Sequence, residues 1–100
     1  MRSLSEPPPT TRPLGAFQAL RQAREALARA QIPYSQHCET LLHLKPRVAH
    51  HIVIVECTPD GHYAFHVFRP RVGWLRLPRL GARHASDVLV ARARNYLSGR

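Results

Sequence analysis

The chain has 100 residues, 44% of them hydrophobic, and a formal net charge of +9. This length suits one domain with a small core, and no run of about 20 apolar residues predicts a membrane span. Two cysteines are too few for a disulfide framework, so we expect a cytoplasmic protein with free thiols. The positive charge, carried by fourteen arginines and one lysine, favours an anionic partner such as nucleic acid or an acidic protein surface.

The N-terminal segment differs from the rest of the chain. Residues 1–13 contain four of the nine prolines, which favour an extended, flexible arm. A single α+β domain is then expected over residues 14–100. Its first helix is predicted over residues 14–31, because small and apolar side chains, including Leu20 and Leu27, recur at helical spacing.

The strongest local pattern is a β-hairpin. Residues 51–57 and 62–68 are rich in β-branched and aromatic residues and flank Thr58-Pro-Asp-Gly61, in which proline and then Asp-Gly predict a type I turn with a left-handed glycine. Counting back from the turn places Tyr63 opposite Cys57 and Phe65 opposite Val55. That face is apolar throughout and is predicted to form the core.

The opposite face of the hairpin mixes apolar and polar side chains. It carries Ile52, Ile54 and Phe68 beside Glu56 and His66. If helices cover only the core face, these three apolar side chains stay accessible and form a possible homodimer contact.

The flanking segments complete the predicted fold. A short strand is predicted over residues 40–44, and a third strand over Val72–Leu77 places Trp74 and Arg76 on the outer face. Pro78–Arg83 is predicted as a basic loop. The last helix is predicted over Ser86–Leu97, because its apolar residues recur at helical spacing.

The predicted fold class is α+β: a helix, an antiparallel meander of three or four strands, and a second helix, with both helices packed on the sheet. This order resembles that of double-stranded-RNA-binding domains. The segment Gly81–Asp87 lacks the lysine-rich opening of the last helix that this family uses on phosphates, so the sequence is not assigned to it.

The candidate binding residues lie between Asp60 and Asp87, a stretch with no acidic residue inside it. An exposed tryptophan can stack on bases, and arginines in loops can hold a phosphate backbone. The predicted set is His66, Phe68, Arg69, Arg71, Trp74, Arg76, Arg79 and Arg83. This prediction supposes that the guanidinium groups converge on one positively charged patch.

We therefore expect a small non-catalytic module that binds nucleic acid or a nucleoprotein complex. The alternative is an interaction protein whose target is another protein, such as a phage or mobile-element inhibitor of a host defence complex. A less favoured alternative is an RNA-cleaving toxin that uses His62, His66, Arg69 and Tyr63 for acid-base chemistry and phosphate contacts.

No cofactor and no metal site are predicted. The chain has no Cys-x-x-Cys pair, and the adjacent His37 and Cys38 do not easily reach one ion. Glu56, Asp60 and Asp87 show no spacing that clusters carboxylates for a divalent cation.

Overall fold

A computed structural model describes residues 15–82 and 86–99 of the chain. These residues form two helices and one antiparallel sheet of six strands. In chain order the elements are α1 (Ala16–Arg29), β1 (Tyr34–Cys38), β2 (Leu41–Leu44), β3 (Ile52–Cys57), β4 (His62–Arg69), β5 (Gly73–Trp74), β6 (Leu80–Gly81) and α2 (Ser86–Leu97). The predicted arm of residues 1–13 and the predicted binding residue Arg83 lie outside the described residues.

The predicted order of helix, meander and helix is confirmed. Strands β1 to β5 are neighbours in chain order, and β6 pairs with β4. Both helices pack on one face of the sheet, which we call the inner face, and the other face is the outer face. The inner-face side chains of the sheet that belong to the buried core are Leu42, Leu44, Val53, Val55, Cys57, Tyr63, Phe65 and Val67.

Helix α1 packs through small side chains and ends in a defined motif. Ala19, Ala23 and Leu27 are fully buried, so the helix lies close to the sheet. Gln31 adopts a left-handed conformation, with φ of 59°. The N–H of Gln31 donates to Ala28 O, and the N–H of Ile32 donates to Leu27 O. These two bonds form a Schellman motif, which ends α1 at Arg29, two residues before the end predicted from the sequence.

The predicted hairpin register is confirmed. Cys57 pairs with Tyr63, and the ladder continues in register to the pair of Ile52 and Phe68. Gly61 has φ of 81°, a conformation that glycine adopts without strain. The Thr58 N–H donates to His62 O at 2.8 Å and closes the turn.

The predicted third strand, Val72–Leu77, is wrong in extent. Only Gly73–Trp74 pairs with β4 there, and the chain pairs with β4 again as β6. The Leu75 N–H still donates to Val67 O. Further along, Leu80 lies opposite Tyr63, so the pairing of β6 with β4 is shifted by one residue relative to the pairing of Trp74 with Phe68. Pro78 has no N–H for the ladder, so the edge bulges where it lies.

The segment with the weakest sequence pattern also holds a hairpin. The predicted strand at residues 40–44 corresponds to β2, and β1 pairs with it at the edge of the sheet. Four of the five residues of β1 are exposed, so no alternation of polarity marks this strand in the sequence. With β1 and the divided third strand, the sheet has six strands rather than three or four.

Several connections meet at one end of the sheet. Leu44 at the end of β2 lies opposite Val53, and β5 begins beside the end of β4. The C-terminal ends of both helices lie here too, because the Arg47 N–H donates to Leu97 O and Arg94 donates to Ala30 O. The hairpin turn around Asp60 and the start of α2 lie at the opposite end.

Candidate functional site

The outer face combines an apolar centre with polar and aromatic surroundings. Neighbouring strands present alternate residues to this face, so its side chains form rows across the sheet. Its described members include Leu41, His43, Ile52, Ile54, Glu56, His62, Ala64, His66, Phe68, Trp74 and Arg76. Ile52, Ile54 and Phe68 are half-buried, whereas Trp74 and Arg76 are exposed. The sequence predicted this division between the faces.

Phe68 and Trp74 form an aromatic pair on the outer face. They are directly opposite each other on β4 and β5, with ring centroids 5.3 Å apart and ring planes at 62°. Phe68 is half-buried and supports its neighbour, and Trp74 remains 56% exposed. An edge-to-face pair of this kind stabilises the position of the exposed ring.

A groove opens where β5 leaves the ladder. Its volume is about 550 Å³, and its walls include His66, Arg76 and Arg79. The groove also contains the Glu56 carboxylate, whose Oε1 lies 2.9 Å from His66 Nε2. This carboxylate is therefore already hydrogen-bonded to His66. No ladder pair joins residues 75–79 to β4. Because odd-numbered residues of β4 direct their backbone groups towards this edge, the polar backbone of Phe65 faces the groove.

Arg79 lies at the turn end of β4 and is bound there. Its Nη1 and Nη2 lie 3.5 and 3.4 Å from the two carboxylate oxygens of Asp60. The pKa of Asp60 is lowered, first by the hydrogen bond from the Thr58 hydroxyl and further by the positive charge of Arg79 and by His62. Arg79 therefore already has an anionic partner within the molecule.

The predicted arginines that the structure describes form a row along the sheet edge rather than one patch. Arg71 lies in the turn beyond the end of β4, and Arg79 lies beside its start. The eight residues of β4 span about 23 Å, which separates these two arginines. Arg76 lies between them, and Arg69 is half-buried at the end of β4. The supposed convergence on one patch therefore does not hold for Arg71 and Arg79.

Other cations gather at the end of the sheet that holds Arg71. We call this region the basic end; its cations are Arg29, Lys45, Arg47, Arg69, Arg71 and Arg94. They come from the last turns of both helices and from two connections between strands. Sequence reasoning missed Lys45, Arg47 and Arg94, because Arg94 is far from the other two along the chain and only the fold brings it beside them.

Acidic residues concentrate at the opposite end. Glu39, Glu56, Asp60 and Asp87 all lie near the hairpin turns or at the start of α2. Among the described residues, only Glu25 is on another part of the surface, where it pairs with Arg21 on α1. Among the residues that the structure describes, most of the carboxylates and the cations of the basic end therefore lie at opposite ends of the strands, which favours a positive potential at the basic end.

The residues considered for RNA cleavage do not share a face. Tyr63 is buried, and its hydroxyl donates to Ala19 O at 2.8 Å. Burial, and to a lesser degree the neighbouring Cys57, raises the pKa of Tyr63 to about 12. His62 and His66 are on the outer face, and Arg69 lies at the far end of β4. The structure does not assemble these four residues into one site.

The fold and the surface define a class of architecture: a two-layer α+β sandwich in which no described helix covers the outer face of the sheet. Comparisons with protein-family models, curated proteins and solved structures found no significant match to this chain. Among the described residues, no three histidine, cysteine or acidic side chains are placed to hold a metal ion. None of the described helices has the length and apolar character needed to cross a membrane.

Proposed function

We propose that this protein is a non-catalytic module that binds nucleic acid, free or within a nucleoprotein, across the outer face and the basic end. The observation that carries the proposal is the setting of Trp74. Its ring is 56% exposed on the outer face, and Arg71 and Arg76 lie before and after it on the same sheet edge. Neither arginine forms an ion pair with any described residue.

This arrangement supplies two complementary contacts. Bases stack on exposed aromatic rings, and guanidinium groups bind the phosphates between them. Stacking requires bases that are not already paired, so a single strand suits Trp74 better than a duplex. Phe68, the inner ring of this edge-to-face pair, is half-buried, which leaves Trp74 as the stacking surface.

The basic end adds long-range attraction. Its cations, including Lys45, Arg47 and Arg71, lie at the end of the sheet where β5 begins, far from most carboxylates. A field of one sign speeds the approach of a polyanion and becomes weaker as salt screens it. The contacts would be mainly to the backbone of the nucleic acid, so we expect little sequence preference.

A second candidate function rests on a different observation. The apolar centre of the outer face, Ile52, Ile54 and Phe68, is half-buried but uncovered by any described element. Such a patch suits a protein contact, either with a second copy of the chain or with another protein, such as a component of a host defence complex. A dimer that Ile54→Thr dissociates in sedimentation experiments would support this contact.

The direct test of the proposal is binding of a labelled single-stranded RNA or DNA of mixed sequence, followed by fluorescence anisotropy over a series of salt concentrations. We expect log K to fall linearly with log salt, with a slope of about −0.7 for each phosphate contacted. The double variant Arg71→Glu, Arg76→Glu should lose binding and retain the native circular dichroism spectrum.

The matched control is Arg21→Glu, Arg24→Glu, which makes the same change in net charge on the exposed side of α1. If both double variants lose affinity equally, binding depends on net charge alone and the assignment to the Trp74 edge fails. RNA cleavage that His66→Ala abolishes would replace the non-catalytic proposal with an enzymatic one.

A further inference from the structure

A cleft of about 490 Å³ lies at the basic end, where the C-terminal ends of both helices meet the connections before β1 and after β2. Its polar walls are Gln31, Lys45, Arg47, Arg94, Asn95 and Ser98. It is separate from the groove beside Arg76 and from the Trp74 surface, and it shares no lining residue with either.

The charge of this cleft is unbalanced. Lys45 and Arg47 come from the connection after β2 and Arg94 comes from the last turn of α2, and none of the residues lining the cleft is acidic. Cations held around one concave surface repel one another, and the field inside a concave wall is stronger than over a flat surface. An anion in the cleft would remove this repulsion.

Attraction to the helix ends explains only part of this arrangement. The negative ends of α1 and α2 attract cations, and Arg94 Nη2 donates to Ala30 O at 3.4 Å. At Arg47, however, it is the backbone N–H that donates to Leu97 O, at 2.9 Å. The Arg47 guanidinium and the Lys45 ammonium form no hydrogen bond or ion pair with any described residue. Two of the three cations are thus left for a ligand.

The chemistry of the walls selects the kind of anion. Arginine offers forked donors that match tetrahedral oxyanions, and lysine adds a mobile point charge. The side-chain amides of Gln31 and Asn95 are neutral donors on the same wall. The volume falls within the range of about 300–1,000 Å³ that is typical of sites for small organic ligands, so a bare phosphate would not fill it.

The geometry points to a binding site for a phosphate monoester, a phosphate group carried on a larger body such as a nucleoside or the end of a strand. Two sources have this chemistry: a free nucleotide and the terminal phosphate of a nucleic acid. The second source rests on the proposed function, and the first does not.

The test is a titration of the full chain, followed by nuclear magnetic resonance of its backbone amides. The probes are adenosine 5′-monophosphate, inorganic phosphate and, as the uncharged control, adenosine. We expect the monophosphate to shift the amides of Gln31, Lys45 and Ser98, and adenosine to leave them unchanged. Arg47→Gln and Lys45→Gln should each weaken monophosphate binding about tenfold. Arg24→Gln, an exposed substitution on α1 outside the cleft, should not.

A second arm identifies the source of the phosphate. A 5′-phosphorylated oligonucleotide that binds more tightly than its 5′-hydroxyl form, with the difference lost in Arg47→Gln, supports the strand end. Equal binding of the two forms, together with monophosphate shifts in the cleft, supports the free nucleotide. If the monophosphate leaves these amides unchanged, or the shifts persist in both cleft variants, the site does not exist. Loss of oligonucleotide binding in a Trp74 variant tests the proposed function independently.

Discussion

Arg79 contacts both carboxylate oxygens of Asp60, at 3.4 and 3.5 Å, across the hairpin turn. Arg76, three residues earlier, forms no ion pair or hydrogen bond with a described residue, although both arginines line the same groove. Binding a phosphate through Arg79 requires competition with Asp60, whereas Arg76 is available. Two neighbouring arginines are therefore unequal for a reason that the linear sequence does not reveal.

The first prediction uses this difference. Arg76→Gln should weaken binding of a single-stranded oligonucleotide about three- to tenfold, and Arg79→Gln should change it less than about twofold. The two variants make the same chemical change in the same groove, so each is the control for the other. Anisotropy titrations at low salt measure the effect. Equal losses in the two variants would mean that the Asp60 contact does not restrain Arg79 in solution.

The second prediction concerns the stacking surface. Trp74→Ala should cost about 1–3 kcal/mol of binding free energy, the usual value of one base stacked on an aromatic ring. Because the side chain is 56% exposed, the midpoint of thermal unfolding should change little. Phe17→Ala is the matched control, since Phe17 is an aromatic residue that is 79% exposed on α1. An unchanged affinity in Trp74→Ala would remove the observation on which the proposed function depends.

The core hairpin could be predicted from sequence because its signals are local and agree with one another. The Asp60-Gly61 turn fixes the register, and alternation then assigns every side chain from Ile52 to Phe68 to a face. Such agreement between turn chemistry and polarity pattern leaves one consistent pairing. The bounds of α2 follow in the same way, from a helical period that stops at Leu97.

The candidate site could be predicted only in part, because its geometry depends on tertiary structure. The segment from Arg71 to Arg79 runs the full length of β4, so neighbours in sequence become distant in space. Conversely, Lys45 and Arg94 meet at the basic end because the last turn of α2 lies beside the connection after β2. A strand such as β1, exposed on both sides, also leaves no polarity pattern to detect.

The third prediction contrasts the two thiols. Cys38 is exposed, and its pKa is lowered by hydrogen bonds from the backbone and side chain of Thr40. Cys57 is buried, and desolvation, with a smaller contribution from the charge of Glu56, raises its pKa to about 12. Since the thiolate is the reactive form, a thiol reagent at pH 7.5, about neutral, should label Cys38 rapidly and Cys57 only after unfolding.

Stopped-flow labelling with a chromogenic disulfide checks this prediction. Native protein should show one fast phase, and protein in denaturant should show two reactive thiols. Cys38→Ser should abolish the fast phase, and Thr40→Val should slow it. Fast labelling that persists in Cys38→Ser would show that the core around Cys57 opens readily.

The fourth prediction concerns Tyr63, which joins the sheet to α1. Its hydroxyl donates to Ala19 O at 2.8 Å and accepts from Gln22 Nε2 at 3.2 Å. Tyr63→Phe should lower the free energy of unfolding by about 0.5–1.5 kcal/mol at neutral pH, the usual net value of a buried hydrogen bond. Tyr96→Phe is the control, because no described group forms a hydrogen bond with its hydroxyl.

The pH dependence separates this bond from simple packing. Burial raises the pKa of Tyr63 from 10.0 to about 12, so the unfolded chain ionises first as the pH increases. The stabilisation is complete below pH 10.0 and is lost as the pH rises through 12 or thereabouts, because unfolding then releases a proton. The pKa of Cys57 is raised from 9.0 to about 12, so this thiol also lowers the free energy of unfolding as the pH increases, and its effect begins at pH 9.0.

Urea unfolding at roughly pH 8 to 11 measures the contributions of Tyr63 and Cys57 to the free energy of unfolding. This range includes the pKa values of both groups in the unfolded chain. In Tyr63→Phe the decline above pH 10.0 should be shallower than in the wild type, and the earlier decline from Cys57 should remain. In Cys57→Ala the earlier decline should disappear and the later one should persist. Alkaline profiles that are identical in wild type and Tyr63→Phe would mean that the hydroxyl is hydrated in solution, so that α1 does not pack over Tyr63 as described.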